Sequence, residues 1–268
     1  MVKVCYVSAF YDIGRDNWQY FSRSTEQYIK AFRHYINMFS NNKDKDFEMI
    51  LFLDKRHIDK VVLNPDTRIK IIGIDEDFMN TLHIWKTLPR EREIISSEYY
   101  KQLIPNKLCF PEHLIPEYTL INHSKIDFIN YAINNLTDAE YLVWSDFGYF
   151  DNKEHLIPTK FLDVDKFDKE KITYTLINPL DEMDKDPIYT LKIANEKIGG
   201  FFFFGNREKM KHYQALYHEI LNDYQNKLGI CDDDQALVLS CYYKKPELFS
   251  MVCLNGWHKA FFHFQKNN

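Results

Sequence analysis

The stretch 141–150, YLVWSDFGYF, joins an apolar run to an abrupt polar end. Its first half continues from Glu140 and has the continuous apolar character of a strand buried on both faces. Asp146 closes the run, and Gly148 permits a sharp turn directly afterwards. We therefore predict a central strand over Glu140–Trp144 that carries a carboxylate at its carboxyl end.

Other strand-like segments alternate with helical ones on both sides of this stretch. The predicted strands are Lys3–Ser8, Phe47–Leu53, Arg68–Ile74, Ile172–Ile177, Gly200–Phe204 and Leu248–Leu254. The predicted helices are Ser24–Phe39, Leu120–Asn135, Glu208–Lys227 and Ala236–Tyr243, with short helices and loops over 75–120. Strands that alternate with helices predict an α/β fold, with a mostly parallel sheet between helices. Because no linker rich in Pro, Gly or Ser divides the chain, we expect one domain over residues 1–268.

Composition narrows the possible functions. The chain has 268 residues, a net charge of -5 and 16% aromatic residues. An acidic balance disfavours nucleic acid as a partner, because binding to phosphates needs an excess of Lys and Arg. The sequence has no apolar run of 18 residues, and it begins with a predicted strand where a signal peptide would lie. Five Cys without a CxxC motif indicate buried, reduced thiols. We expect a cytoplasmic protein without a transmembrane segment.

Ligands of such sheets bind at the carboxyl ends of the strands. Residues 8–15, Asp54 and residues 145–148 should share that rim. The sequence contains neither GxGxxG nor GxxxxGK[ST], so glycine-rich phosphate loops are absent. A phosphate-bearing ligand would need another group to neutralise it, usually a divalent metal held by carboxylates. Asp146 is the candidate ligand for magnesium or manganese; the alternative is that it caps the following turn.

Residues 231–241, CDDDQALVLSC, place three acids before a predicted helix. The simple explanation is a helix start with acids that favour the positive end of its dipole. The functional alternative puts Asp234 or Gln235 beside a reacting carbon, with Asp232 or Asp233 on an acceptor hydroxyl. Burial of more than one of these carboxylates would require a cation or hydroxyl partners.

Two further polar segments are candidate binding elements. In 118–125, YTLINHSK, the side chains of Asn122, Ser124 and Lys125 could hold sugar hydroxyls or phosphate; the alternative is a helix start with a solvated lysine. In 255–258, NGWH, His258 could serve a metal or a phosphate, or be structural.

Taken in order, these motifs resemble one known family. VSAFYDIGR at 7–15, YTLINHSK, YLVWSDFG, GGFFFFG at 199–205 and DDDQ at 232–235 resemble the HtrL/YibB family over most of the chain. That family is similar to nucleotide-sugar glycosyltransferases of the GT-A type. The resemblance implies a single GT-A-like, Rossmann-like domain with a mixed, mostly parallel sheet. It also implies a metal-binding Asp-x-Asp, of which Asp146 is the first position, whereas Gly148 replaces the second carboxylate.

The resemblance also implies roles for individual residues. Asp234 and Gln235 would lie beside the anomeric carbon of the donor sugar, and His258 would be a further ligand of Mn²⁺ or Mg²⁺. The residues from Ser8 to Tyr11 and Arg15 would hold the nucleoside, and Lys125 the sugar or phosphate. The expected donor-binding set is Ser8, Ala9, Phe10, Tyr11, Arg15, Asn122, Lys125, Trp144, Ser145, Gly200, Trp257 and Lys259. The expected catalytic set is Asp233, Asp234 and Gln235, and the expected metal set is Asp146, Gly148 and His258.

These residues predict a metal-dependent glycosyltransferase. It would move a hexose from a UDP-sugar, such as UDP-glucose or UDP-galactose, to a hydroxyl of a small-molecule or glycan acceptor. A metal stabilises the charge that develops on the departing diphosphate. Retention of the anomeric configuration is favoured slightly over inversion. The alternatives are a metal-dependent hydrolase of nucleotide sugars or phosphoesters, and a non-catalytic carbohydrate-binding protein.

Overall fold

A computed structural model describes residues 3–42, 46–61, 66–150, 161–193, 196–254, 256–257 and 259–265, with backbone alone at 149 and 150. These residues form one seven-stranded sheet in the order β3-β2-β1-β4-β6-β5-β7. The strands are β1 Val4–Phe10, β2 Phe47–Asp54, β3 Ile69–Ile74, β4 Tyr141–Ser145, β5 Ile172–Leu176, β6 Ile198–Asn206 and β7 Phe249–Cys253. Only β6 runs antiparallel to its neighbours within this described sheet. The predicted α/β fold with a mixed, mostly parallel sheet is confirmed.

Helices cover both faces of the sheet. They are α1 Thr25–Ser40, α2 Ile58–Val61, α3 Glu76–Met79, α4 Leu88–Ser96, α5 Glu98–Leu103, α6 Pro111–Leu114, α7 Pro116–His123, α8 Lys125–Asn135, α9 Pro187–Ile193, α10 Arg207–Asn222, α11 Asp234–Lys244 and α12 Ala260–Phe264. Single 3₁₀ turns lie at Arg15–Asn17, Lys55–His57, Trp85–Thr87, Phe147–Phe150, Glu182–Lys185 and Pro246–Leu248, and a π-helical turn at Asp223–Leu228. The expectation of short helices over 75–120 is confirmed.

Alternate side chains along the strands pack into two separate hydrophobic cores, one on each face of the sheet. In β1, Val4 and Tyr6 join the core that includes α1 and α12. Cys5 and Val7 point to the opposite core, which includes α8, α10 and α11. Both faces of β1 are therefore buried, which explains why this strand reads as a continuous apolar run.

The start of α1 follows directly from its sequence. Ser24 precedes the helix, and its hydroxyl accepts a hydrogen bond from the backbone N–H of Gln27 at 3.2 Å. The Gln27 side-chain oxygen in turn accepts from the Ser24 N–H at 2.9 Å. This reciprocal capping satisfies two N–H groups that the first helical turn leaves free. The predicted helix start at Ser24 is confirmed.

The predicted single helix over Leu120–Asn135 is wrong, because the chain breaks it into α7 and α8. Ser124 ends α7, and its hydroxyl donates to the carbonyl oxygen of Leu120 at 2.7 Å. The new helix begins at Lys125. This break matters for function, because it turns the lysine into the first residue of a helix beneath the carboxyl end of β4.

The predicted helix over Glu208–Lys227 also ends earlier than expected. Regular α-helix stops at Asn222, and the π-helical turn follows. Gly229 then closes this turn with a left-handed backbone, at φ 64°, a conformation that glycine adopts without steric cost.

The sheet reverses its winding direction between β1 and β4. β2 and β3 lie on one side of β1, whereas β4 lies on the other. In open α/β sheets, ligands bind outside the carboxyl ends of the strands at such a switch point. Because β6 is antiparallel, its first residues reach the same rim, and the N–H of Asp146 donates to the carbonyl oxygen of Phe201 at 2.9 Å.

The expectation that all five thiols are buried is partly wrong. Cys5, Cys231 and Cys241 are buried, but Cys109 and Cys253 are exposed. An apolar sequence neighbourhood does not ensure burial, because Cys253 ends the edge strand β7. Within the described ranges, no helix combines the length and the apolar character needed to cross a membrane.

Candidate functional site

A cavity of about 380 Å³ opens at the switch point between β1 and β4. Its volume lies in the range of small-molecule sites. Aromatic rings form much of its wall, and three cations face two carboxylates in it. The lining residues include Ala9, Phe10, Tyr11, Asp12, Arg15, Arg23, Tyr28, Tyr118, Asn122, Lys125, Trp144, Asp146, Phe147, Gly148 and Phe201. We call it the switch-point cavity.

The loop after β1 aims a guanidinium at this cavity. Gly14 takes a left-handed backbone at φ 74°, which the next turn needs. Arg15 follows, and its Nε donates to the carbonyl oxygen of Phe21 at 2.9 Å. Its Nη1 donates to the hydroxyl of Tyr28 at 2.9 Å. The guanidinium also lies over the ring of Tyr118, 5.4 Å from the ring centroid, so it is held on several sides.

Asp12 is locked into a polar network at the end of β2. Its Oδ2 lies 2.8 Å from Nε2 of His57, and its N–H donates to Oδ2 of Asp54 at 3.2 Å. Burial would raise the pKa of the Asp12 carboxyl, but the hydrogen bonds from His57 and Gly14 outweigh burial and lower it. Asp12 therefore stays ionised at neutral pH and stiffens the loop that carries Arg15.

A second cavity, of about 540 Å³, adjoins the first. Six carboxyl side chains and four cations line it within the described chain, so we call it the acidic cavity. Its lining includes Arg15, Phe21, Lys107, Phe110, Glu112, Tyr118, Asn122, Lys125, Asp146, Glu196, Lys197, Gly200, Phe201, Asp232, Asp233, Asp234, Gln235 and Trp257. Both cavities share Arg15, Tyr118, Asn122, Lys125, Asp146 and Phe201.

Lys125 lies at the junction of the two cavities. Its Nζ donates to Oδ2 of Asp234 at 2.7 Å and to the carbonyl oxygen of Gly200 at 3.1 Å. Oδ2 of Asp146 lies 3.7 Å away. Burial would lower the pKa of this ammonium, but the carboxylates of Asp146 and Asp234 outweigh burial and raise it. Lys125 is therefore a permanent cation.

Asp146 closes the junction from the β4 side. Its Oδ1 accepts a hydrogen bond from Nε1 of Trp144 at 2.7 Å, which fixes the carboxyl plane. Its side chain remains 36% exposed towards the cavities. Low solvation raises the pKa of the carboxyl above its usual value, although the nearby Lys125 opposes this. The carboxyl thus interacts with ring and ammonium groups, and a turn-capping role does not explain its contacts.

The carboxylates of the DDDQ segment have different roles: one caps a helix, and another contacts Lys125 in the cavity. Asp233 caps α11, because its side chain accepts from the N–H groups of Gln235 and Ala236 at 3.0 and 3.1 Å. The simple explanation of a capped helix start is thus confirmed for Asp233. Burial raises the pKa of Asp232 to about 7, and burial together with its two acidic neighbours raises that of Asp233. Asp234 is different, since Lys125 neutralises it.

Gly200 makes the approach of Asp234 possible. A Cβ atom at this position would lie 2.6 Å from Oδ2 of Asp234. That distance is too short for any side chain, so the carboxylate and β6 can pack this closely only with glycine. The same glycine offers its carbonyl oxygen to Lys125.

Most of the predicted site residues meet at these two cavities. The structure brings together Ala9, Phe10, Tyr11, Arg15, Asn122, Lys125, Trp144, Asp146, Gly148, Gly200, Asp233, Asp234, Gln235 and Trp257. Ser8 and Ser145 instead lie fully buried inside β1 and β4. Lys259 is exposed and directly precedes α12, with its stem against Gly256. His258 lies outside the described residues.

Several lining residues were missed by the sequence analysis. Tyr118 opens the motif YTLINHSK and Arg23 lies eight residues after VSAFYDIGR, but the sequence assigns neither to the site. Lys107, Phe110 and Glu112 lie within 75–120, where the sequence predicts short helices and loops. These residues join the site through long-range packing, and no local pattern marks them.

The described residues do not fit a divalent metal site. Of the predicted ligands, Asp146 contributes one carboxylate and Gly148 has no side chain. The second nearby carboxylate, Asp234, already binds the Lys125 ammonium. Across the described ranges, no group of three His, Cys, Asp or Glu side chains is placed to hold a metal ion. The involvement of Mn²⁺ or Mg²⁺ stays a prediction.

These features define an α/β protein with one mixed, mostly parallel sheet and a two-part cleft at its switch point. The family model HtrL_YibB, described as "Bacterial protein of unknown function", matches residues 2–266. The chain therefore belongs to the HtrL/YibB family. It is also 27% identical over 270 residues to "Protein HtrL" of Escherichia coli strain K12, covering 97% of this chain and 92% of that protein.

Proposed function

We propose that this protein is a glycosyltransferase that moves a hexose from a nucleotide sugar, such as UDP-glucose or UDP-galactose, to an acceptor hydroxyl. One observation carries the proposal: two cavities of opposite character meet at Lys125 and Asp146, with Asp234 bound to Lys125 from the acidic cavity. A donor that is part aromatic base and part diphosphate suits the first cavity. A neutral, hydroxyl-rich acceptor suits the second.

The switch-point cavity has the groups that a nucleoside diphosphate requires. Rings such as Tyr11 and Trp144 provide faces for a base, since aromatic groups stack with offset geometry. Arg15 and Arg23 provide charged donors for phosphate oxygens. No glycine-rich loop is needed when side-chain cations supply the hydrogen bonds.

The acidic cavity would hold the acceptor. Aromatic side chains of Phe110 and Trp257 form part of its wall, and carboxyl groups are available to bind hydroxyls. The excess of carboxyl groups disfavours an anionic acceptor, because like charges repel. Asp234 and Gln235 lie where the two ligands would meet.

In the proposed transfer, the bond between the anomeric carbon and the diphosphate oxygen breaks, and its electron pair leaves with the nucleoside diphosphate. The acceptor oxygen forms the new bond to the same carbon. With retention, which we favour, the acceptor proton passes to the departing phosphate oxygen on the same face of the sugar. With inversion, a carboxylate of the acidic cavity takes that proton. Arg15 and Lys125 stabilise the negative charge on the leaving group.

The proposal is tested by incubating the protein with a panel of UDP-sugars, with and without Mn²⁺, and measuring UDP release. We expect release from at least one donor and reduced release in Asp146→Ala, because this carboxylate lies 3.7 Å from the Lys125 ammonium and helps to hold it at the junction. Asp168→Ala is the matched control, because this aspartate is exposed and lies outside both cavities.

Product analysis separates the alternatives. A new glycoside identifies a transferase, and its anomeric configuration by NMR separates retention from inversion. Free hexose with every acceptor would identify a hydrolase instead. No UDP release and no calorimetric binding of UDP by the wild-type protein would refute the proposal. A cytoplasmic location is part of the proposal, since the exposed thiols of Cys109 and Cys253 suit a reducing compartment.

A further inference from the structure

Lys125 occupies an unfavourable position that needs an explanation. It is the first residue of α8 and only 7% exposed. A cation at the N-terminal end of a helix opposes the helix dipole, and burial of an ammonium group costs free energy in addition. Asp146 and Asp234 offset this cost only because the end of β4 and the start of α11 bring the two carboxylates to the same point. The chain therefore builds a buried cation between two carboxylates at the junction of its cavities.

We propose that the Lys125 ammonium takes the position between Asp146 and Asp234 that a divalent cation would otherwise occupy, and that it binds the donor diphosphate directly. This inference rests on the proposed function for the identity of the donor. The assignment of the cation position does not depend on that identity. It rests on the contacts of the ammonium group alone.

The hydrogen bonds of the ammonium group support this role. An ammonium group has three N–H donors. Two have acceptors at bonding distance, Oδ2 of Asp234 and the carbonyl oxygen of Gly200. Oδ2 of Asp146 lies at 3.7 Å, longer than a hydrogen bond. A ligand oxygen that enters the junction can therefore take the remaining donor without breaking the bond to Asp234.

The charges around the switch-point cavity already suit an anion. Arg15, Arg23 and Lys125 line it together with the carboxylates of Asp12 and Asp146. Oδ2 of Asp12 lies 2.8 Å from Nε2 of the neighbouring His57 ring. Because Lys125 is shared between Asp146 and Asp234, Arg15 and Arg23 supply the further positive charge that faces the incoming diphosphate.

The first experiment titrates Mn²⁺ alone into the protein, followed by calorimetry or by the EPR signal of free Mn²⁺. We expect weak binding to the wild type and at least about tenfold tighter binding to Lys125→Ala, because removal of the ammonium leaves two carboxylates without a cation. Adding Asp234→Asn to that variant should abolish the gain. Tight binding to the wild type that Lys125→Ala leaves unchanged or weakens would overturn the proposal.

Matched variants guard against unspecific effects. Lys211→Ala removes an exposed lysine that pairs with Glu208 on the helix surface, and it should leave Mn²⁺ binding at the wild-type level. Lys125→Arg keeps the charge and should also bind Mn²⁺ weakly. If Lys125→Ala does not fold, as judged by circular dichroism, the wild type and Lys125→Arg still decide the question, because tight binding to either refutes the assignment.

The second experiment measures UDP binding to the wild type in EDTA and in Mn²⁺. We expect dissociation constants within about threefold of each other, and at least a tenfold loss in Lys125→Met. A wild-type affinity that falls more than tenfold in EDTA and returns with Mn²⁺ would overturn the metal-free binding mode. If UDP binds in neither buffer, the proposed donor is wrong, and the Mn²⁺ titration still decides whether Lys125 holds the cation position.

Discussion

Replacement of Glu91 by Gln should stabilise the protein at pH 8. The stabilisation should be much smaller at pH 5. Glu91 lies on α4, is fully buried, and accepts a hydrogen bond from Nε2 of Gln225 at 2.7 Å through its Oε2. Burial raises the pKa of this carboxyl from 4.5 to about 7, although the hydrogen bond from Gln225 opposes the shift. The folded protein therefore holds a proton that the unfolded chain releases at lower pH.

The size and sign of the effect follow from this difference in pKa. Below pH 4 the carboxyl is protonated in both states, and stability is unaffected. As the pH rises from 4.5 to about 7, the unfolded chain loses the proton first, so stability falls. The pKa of Glu91 rises from 4.5 to about 7 on folding, and each pKa unit corresponds to about 1.4 kcal/mol. Ionisation of Glu91 therefore lowers the unfolding free energy of the wild type by about 3 kcal/mol at pH 8. Glu91→Gln removes the ionisation and should recover at most this amount.

Urea unfolding of both proteins at pH 5, 6, 7 and 8 measures the effect. The difference in unfolding free energy should grow by about 2 to 3 kcal/mol between pH 5 and pH 8. Glu93→Gln is the matched control on the same helix, since its side chain is 67% exposed and pairs with Arg90 at the surface. A surface pair contributes about 0–1 kcal/mol, so the control should shift little. Parallel pH profiles of the wild type and Glu91→Gln would refute the reasoning.

Two other substitutions test the site and the fold. Gly200→Ala should push Asp234 away from Lys125, because the new Cβ would lie 2.6 Å from the carboxylate oxygen. We expect the unfolding free energy to fall by about 1–3 kcal/mol and UDP to bind more weakly. Unchanged values for both would contradict the packing argument. Ser24→Ala should cost about 1 kcal/mol in urea unfolding by removing the cap of α1, with UDP binding unchanged; an undiminished unfolding free energy would show that the cap is unimportant.

The sequence predicts the strands well because their signals are local. β2 and β4 are predominantly apolar runs, and each begins and ends within one residue of its prediction. The cap at Ser24 likewise depends on residues within one turn. The break at Ser124 was missed, because a serine inside an apolar helical pattern carries no strong stop signal. The effect of this break is visible only in the folded chain, where the next residue, Lys125, is buried.

In the candidate site, too, the sequence predicts the features with local signals and misses those that depend on distant residues. Asp146 and the DDDQ segment were predicted because each follows or precedes a regular element and carries an unusual charge. YTLINHSK marks Lys125 as a candidate for binding sugar or phosphate, but neither its burial nor its contact with Asp234 could be predicted from this segment. Its burial depends on Asp234, which lies 109 residues further along the chain.

The amino-acid sequence alone was enough to establish an α/β chain with a carboxylate at the end of a central strand, because apolar periodicity and capping act over a few residues. The antiparallel direction of β6, the exposure of Cys109 and Cys253, and the meeting of two cavities at Lys125 come from the folded chain. Each depends on which distant segments pack together. The charges at the junction likewise come from three separate elements, β4, α8 and α11. They offset one another only when the fold brings these elements together.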